Sequence, residues 1–155
     1  MIVVADAGPI HYLVLIGAVD VLHPLYTRVL VPESVALELS GASAPSIVRE
    51  CIAAPPSYCE MWPDPPADPA LAFLGPGEQA AILLALSVRA ERLLIDDQAG
   101  RREAKRRDLL VTGTLGVLVE AHRAQLLDFE TVLTQLSQTN SYFSEEVIAR
   151  VRESI

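Results

Sequence analysis

The stretch from Arg92 to Arg107 constrains the fold most, because an apolar run there ends in acids and a basic segment follows. The run is Leu93-Leu94-Ile95, and Asp96 and Asp97 come directly after it. This order is typical of a buried parallel strand that turns into a helix. In open α/β sheets, ligands bind at the carboxyl ends of the strands, where the strand order reverses. The stretch therefore predicts carboxylates at a ligand-binding edge.

Short apolar runs alternate with helical patterns along the rest of the chain. Strands are predicted at residues 1–5, 28–31, 92–96 and 109–111. Helices are predicted at 10–16, 19–26, 32–40, 44–53, 78–90, 98–107, 115–123, 128–138 and from 144 onwards. The segment 55–69 contains six prolines and is predicted to be an extended surface connection. This alternation predicts an α/β fold, in which helices cover both faces of a short-stranded parallel sheet, as a single domain over 1–155.

Composition limits the classes of protein that the chain can represent. Half of the residues are apolar, which excludes a disordered chain. No apolar run approaches the roughly 20 residues that span a bilayer, and the first residues are expected to form a strand, not a signal peptide. Cys51 and Cys59 have no zinc-type spacing, so we expect two free thiols in a reducing cytoplasm.

The net charge of −8 argues against a protein that coats nucleic acid through its overall charge. Five of the twelve Lys and Arg residues nevertheless fall between Arg101 and Arg107. Four of them, Arg101, Arg102, Lys105 and Arg106, are candidates for contacts with RNA phosphates. A solvated helix face is an equally good interpretation of this basic segment.

Four carboxylates stand at or near the ends of predicted elements. Asp6 follows the first strand, Asp97 follows the strand at 92–96, Glu78 begins a helix and Glu38 lies late in another. Mg²⁺ and Mn²⁺ prefer such hard oxygen ligands, and a bound cation offsets the repulsion between crowded carboxylates. It can also activate water against a phosphate. The joint placement of the four acids therefore predicts a divalent-metal site for phosphodiester cleavage.

Each acid also has a plainer interpretation. Asp6 could cap the helix that follows it, and Asp96 or Asp97 could cap the helix after the fourth strand. Glu78 could be only a favourable charge in a first helical turn, and Glu38 a solvated helix residue. Thr112 and Thr114 could orient a water or a phosphate, but turn and capping roles, with Thr114 as an N-cap, are the favoured interpretation.

Several stretches of the chain together resemble PIN-domain proteins of the kind found in VapC-like bacterial toxins. They are VVADAGPIHYLVLIG, VPESVALEL, GPGEQAAILLA, LLIDDQAGRREAKRRDLLVTGTLGVL and SYFSEEVIARV, in the order of the family. The resemblance implies a three-layer α/β/α fold and a ribonuclease that depends on Mg²⁺ or Mn²⁺. It implies an acidic site whose four members are Asp6, Glu38, Glu78 and Asp97, with Asp6, Glu78 and Asp97 as metal ligands and Asp96 in a supporting position.

The resemblance also implies partners: an RNA substrate, an antitoxin protein and a second copy of the chain in a homodimer. Some residues depart from the family pattern. Gly8 stands where many members have Ser, Thr or Asn, and Glu78 stands where many have Asp. The alternative hypothesis is therefore a catalytically degenerate PIN-like module that binds RNA or a protein partner. A receiver-type phospho-acceptor is less favoured, because the only lysine, Lys105, lies within a predicted helix.

Overall fold

Five short parallel strands form one sheet in the computed structural model, which describes residues 1–139 and 143–155. The strands are β1 Ile2–Ala5, β2 Arg28–Pro32, β3 Cys59–Trp62, β4 Arg92–Leu94 and β5 Val111–Thr112. Their spatial order is β3-β2-β1-β4-β5. From β1 the chain adds β2 and then β3 on one side of the sheet. It then crosses back and adds β4 and β5 on the other side. The strand order reverses between β1 and β4, which is the ligand-binding position in such sheets.

Nine α-helices within the described residues connect and cover these strands. They are α1 Ala7–Leu15, α2 Leu22–Tyr26, α3 Glu33–Leu39, α4 Ser46–Ala53, α5 Pro76–Val88, α6 Gln98–Arg106, α7 Thr114–Arg123, α8 Phe129–Ser137 and α9 Glu145–Glu153. Single turns of 3-10 helix lie at Val19–Val21 and Pro69–Leu71.

The core lies on both faces of the sheet. Side chains alternate along a strand, so Val3 and Ala5 of β1 pack with α1, α4, α7 and α8, whereas Val4 packs with α5 and α6. All three side chains are fully buried. The predicted three-layer α/β/α fold with a short-stranded parallel sheet is therefore confirmed.

The proline-rich segment holds the main error of the sequence-based prediction. It was expected to be only an extended connection, yet its residues Cys59–Trp62 form β3. This strand pairs with β2 alone and lies at the edge of the sheet. Prolines that flank an edge strand remove no donor from the hydrogen bonds that the strand makes with its one neighbour. They therefore do not prevent pairing.

Smaller corrections concern the ends of elements. Helix α5 begins at Pro76, two residues before Glu78, and Thr114 is the first residue of α7, so Gly113 occupies the N-cap position instead. Strand β5 is Val111–Thr112, shifted from the predicted 109–111. The last family-like stretch begins with Ser141 and Tyr142, which lie outside the described residues.

No single helix in the described part of the chain is long and apolar enough to cross a membrane. The segments Ala7–Leu15 and Val19–Tyr26 reach that length and composition only as a pair, across a bend of 120°.

Candidate functional site

Acidic side chains from four parts of the chain line one cleft at the carboxyl ends of β1 and β4. The cleft has a volume of about 490 Å³ and is lined by Asp6, Ala7, Gly8, Glu38, Glu78, Asp96, Asp97 and Gln98. All four acids that were predicted to form the site are among them, and so is Asp96. We call this feature the acid cleft. It lies where the strand order reverses, so the sheet topology brings these residues together.

Asp6 is the buried member of the acid cleft. Its backbone N–H donates to Leu94 O of β4 at 2.8 Å, which fixes the residue at the end of β1. It occupies the N-cap position of α1, but its side chain makes no capping hydrogen bond. The side chain is buried, and its Oδ1 has no hydrogen-bond partner among the residues that the structure describes. Capping therefore does not account for this aspartate.

The surroundings of Asp6 favour its neutral form. Burial, followed by the negative charge of Glu78, raises the pKa of Asp6 to about 8, and Glu38 and Asp96 add to the effect. Burial and the charge of Glu78 also raise the pKa of Glu38. Asp6 therefore retains its proton at neutral pH when the acid cleft holds no cation.

The start of α5 packs beside Asp6 and Glu38. A Cβ at the buried Gly77 would lie 3.5 Å from Asp6 Oδ1 and 3.9 Å from Glu38 Oε2, within ordinary contact distance. Glu78 is the third residue of α5, and its Oε2 lies 2.6 Å from where a Cβ on Gly75 would stand. The Glu78 side chain thus folds back over the N-cap of its own helix.

Asp96 and Asp97 have different environments although they are adjacent. Asp97 is exposed, and its Oδ2 accepts from the backbone N–H of Gly100 at 2.7 Å, so it caps α6. Asp96 is half-buried, and both of its oxygens accept from Thr114: Oδ1 from the backbone N–H at 2.7 Å and Oδ2 from the hydroxyl at 2.6 Å.

Asp96 lies on the side of the acid cleft nearest to α1. A Cβ on Gly8 would stand 3.1 Å from Asp96 Oδ2, so the missing side chain at position 8 leaves room for this carboxylate. Burial raises the pKa of Asp96, and the two hydrogen bonds from Thr114 and the charge of Arg101 oppose that rise. The charge of Asp96 also contributes to the raised pKa of Asp6.

The predicted RNA-contacting residues of α6 separate into two groups. Arg102, Lys105 and Arg106 are exposed, and Arg106 forms an ion pair with Glu103. Arg101 is half-buried, and its Nη1 donates to Ile95 O at 2.9 Å, at the end of β4. Arg101 is thereby held close to the acid cleft.

The two threonines also take separate roles. Thr114 is fully buried and orients Asp96. The hydroxyl of Thr112 accepts a hydrogen bond from Arg92 Nη1 at 3.1 Å. The same Arg92 nitrogen pairs with Glu120, whose carboxylate also accepts from the hydroxyl of Tyr26 at 2.7 Å. Sequence reasoning missed this network, since its members lie in four separate elements.

The carboxylate oxygens of the acid cleft suit a hard divalent cation, although the side chains that the structure describes do not form a complete set of metal ligands. Within residues 1–139 and 143–155, no three His, Cys, Asp or Glu side chains are grouped closely enough to hold a metal ion. The unpartnered Oδ1 of Asp6 is nevertheless a buried oxygen of the kind that Mg²⁺ and Mn²⁺ bind. The residue types present therefore fit such an ion.

The comparison with known protein families identifies one match, which covers nearly the whole chain. A family model described as a PIN domain matches residues 2–155. No curated protein is similar enough to the chain to count as a match.

Proposed function

The chain belongs to the PIN-domain family, and on this premise we propose that it is a metal-dependent endoribonuclease that cleaves RNA phosphodiester bonds in the acid cleft. PIN domains are generally nucleases that act on RNA, so the fold supports the reaction class. The metal dependence and the assignment of individual residues are part of the proposal.

One observation carries the proposal: the buried, unpartnered Oδ1 of Asp6 among other carboxylates at the strand-order reversal. Leaving a buried polar atom without a partner costs about 1–3 kcal/mol, and crowding like charges adds to that cost. A bound divalent cation removes both costs. We propose Asp6, Glu78 and Asp97 as the residues that hold Mg²⁺ or Mn²⁺, with Glu38 as the fourth catalytic acid.

Residues of this chain would prepare the acid cleft for the reaction. When bound, the ion would supply Lewis-acid polarisation of a phosphate oxygen and a more acidic water. Asp6 would release its proton to solvent when a cation is bound, because the neighbouring positive charge would stabilise the carboxylate. Thr114 keeps the Asp96 carboxylate in place beside it. Arg102 and Lys105 are exposed on α6 and available to RNA phosphates.

The proposal is tested by cleavage of a mixed RNA pool with Mn²⁺, with Mg²⁺ and with EDTA. We expect metal-dependent cleavage by the native chain and a loss of at least a hundredfold in Asp6→Asn and Asp97→Asn. Asp108→Asn is the matched control, because Asp108 is exposed and its φ of 64° suits Asn equally well. Unchanged cleavage in both acid-cleft variants would contradict the proposal.

A second candidate function is a catalytically degenerate module that binds RNA or a protein partner. The capping role of Asp97 and the glycine at position 8 favour it. This candidate predicts no metal-dependent cleavage and no heat of Mn²⁺ binding by calorimetry, together with retained binding of RNA or a partner. Saturable Mn²⁺ binding that Asp6→Asn abolishes would decide against it.

We further propose that the protein acts as the toxin of a toxin–antitoxin pair in a reducing cytoplasm, and that it forms a homodimer. Both cysteines are free, as a reducing compartment requires. The exposed side chains of Leu37 and Met61 supply apolar surface for association. Sedimentation velocity tests the dimer: a single species with the mass of one chain, at all concentrations up to 100 µM, would exclude it.

A further inference from the structure

A second depression lies beside the acid cleft and is larger than it. It has a volume of about 650 Å³ and lies between α6, α7 and α9. Asp96 and Gln98 line both depressions, so the two adjoin. We call the second one the α7–α9 groove. Its size is within the range of roughly 300–1,000 Å³ that is typical of sites for small organic ligands.

The walls of the α7–α9 groove are largely apolar. Val111 and Leu115 contribute from β5 and α7, Val119 from the next turn of α7, and Val147 and Val151 from α9. Val147 keeps 36% of its surface exposed although it is a valine on a helix that packs against the domain. A flat aromatic ring could bury this apolar surface.

Two cationic side chains border the groove. Arg101 is held by its bond to Ile95 O, and Arg123 donates to Ser154 O at 3.1 Å. In the part of the chain that the structure describes, neither guanidinium forms an ion pair with a carboxylate. Arg123 retains positive charge that suits a phosphate, and Arg101 is a second cation that also acts on the nearby Asp96, in a protein whose net charge is −8.

Two acids, Asp96 and Glu120, line the groove. Asp96 accepts two hydrogen bonds from Thr114 and lies near the positive charge of Arg101. The carboxylate of Glu120 pairs with Arg92 and accepts from the hydroxyl of Tyr26. Both acids are therefore partnered from within the domain, and the apolar side chains and the two arginines suit a ligand that is flat and anionic.

We propose that the α7–α9 groove binds one nucleoside of a single-stranded RNA, the neighbour of the phosphate that lies in the acid cleft. The base would pack on the valine walls, and its phosphate would contact Arg101 and Arg123. This inference rests on the proposed function, because it assigns the groove to the same RNA strand. Adjacency to the acid cleft favours RNA over a peptide, since the two depressions share Asp96 and Gln98 and one strand could occupy both.

The test is fluorescence anisotropy of labelled pentaribonucleotides A5, C5, G5 and U5 in EDTA, where a metal-dependent cleavage cannot consume them. Val119→Trp fills the groove, and we expect it to weaken the tightest complex about tenfold and to level the preference among the four bases. Arg123→Gln should weaken all four complexes by a similar factor, because it removes a phosphate contact.

Matched controls place the same chemical changes on α4, away from both depressions. Ile47→Trp adds an indole at an exposed position, and Arg49→Gln removes an exposed guanidinium. Both should bind within twofold of the native chain. Thermal melts establish that the variants are folded. If Val119→Trp does not fold, methyl NMR of the native chain replaces it: shifts at Val119 and Val151 on adding RNA are expected, and unmoved methyls overturn the inference.

The outcomes distinguish a failure of the groove assignment from a failure of the proposed nuclease activity. Native-like RNA binding by both groove variants overturns the groove assignment, even if cleavage is observed. Groove-dependent binding without any metal-dependent cleavage supports the nucleoside site and removes the proposed activity. If an acidic peptide binds and is lost in Val119→Trp while RNA binding is not, the groove belongs to a protein partner and the inference fails.

Discussion

Asp6 is the residue on which the proposed chemistry of this domain depends. Its position is fixed by the backbone hydrogen bonds of β1 and by the bond from its own N–H to Leu94 O, not by hydrogen bonds of its side chain. Burial and three neighbouring acids then make its charge costly. Ionising Asp6 therefore costs free energy until a cation binds. For this reason the stability of the folded protein should depend on pH.

We expect the metal-free protein to lose stability between pH 4 and pH 8. Folding raises the pKa of Asp6 from 3.8 to about 8, so in this window the folded chain holds a proton that the unfolded chain has lost. Rising pH therefore favours unfolding until the folded carboxyl ionises. In Asp6→Asn this dependence should weaken but not vanish, because the pKa values of Glu38 and Asp96 are raised too. The variant should be more stable than the native chain at pH 8, by a few kcal/mol in order of magnitude.

Urea unfolding in EDTA at several pH values measures the effect. Saturating Mn²⁺ at pH 8 should stabilise the native chain and leave Asp6→Asn unchanged, since only the folded native cleft binds the ion. Parallel stability curves for the two proteins would show that Asp6 ionises normally.

Sequence patterns predicted which acids lie together but not which contacts each of them makes. Asp6, Glu38 and Glu78 each follow from the end of an element, and the structure brings them to one cleft. Asp96 and Asp97 could not be separated in this way, because both follow the same strand. Their difference arises from contacts remote in sequence: Thr114 binds one, and the start of α6 takes the other as its cap.

At the scale of elements, the packing of α6 on β4 determines where the carboxylates stand. Gly100 is the third residue of α6 and is buried. A Cβ there would stand 2.7 Å from Ile95 Cδ1, at the end of the strand segment that carries Asp96. A side chain at position 100 would therefore press on the buried Ile95 side chain and force it to shift.

Gly100→Ala should therefore destabilise the protein although alanine favours helices. The gain in helix propensity is about 1 kcal/mol, whereas overpacking a core costs about 1–3 kcal/mol. Ile95→Val removes the Cδ1 atom that the new methyl meets. In that background we expect Gly100→Ala to be neutral or stabilising, as measured by a double-mutant cycle of unfolding free energies. Equal effects of Gly100→Ala in both backgrounds would contradict the proposed contact.

The elements themselves were predictable wherever a buried apolar run or a helical pattern marked them. β1, β2 and β4 are such runs, and all three are central. β3 was not predictable, because Cys-Glu-Met-Trp is neither an apolar run nor a clean alternation, and prolines lie on both sides. These residues form a strand because they pair with β2, which is distant in the sequence. The local sequence does not reveal such a tertiary contact.

At the scale of the whole molecule, the net charge of −8 coexists with a small cationic region at the α7–α9 groove. Binding of RNA should therefore involve few phosphates. For two or three contacts, the logarithm of the association constant should fall with that of the salt concentration with a slope of about −1.4 to −2. Arg123→Gln should make this slope shallower by about 0.7. A slope steeper than about −4 would instead indicate a broad basic surface.

The order β3-β2-β1-β4-β5 also has a consequence for the time at which activity can arise in a cell. Asp6 precedes β4 in the chain, and β4, with Asp96 and Asp97 behind it, is made only after β2, β3 and α5. Thr114, which holds Asp96, comes later still. Since a domain folds as a unit once its contacts exist, a nascent chain that lacks β4 and Thr114 has no assembled acid cleft. On the proposed function, cleavage of RNA would therefore begin only after these elements have been made.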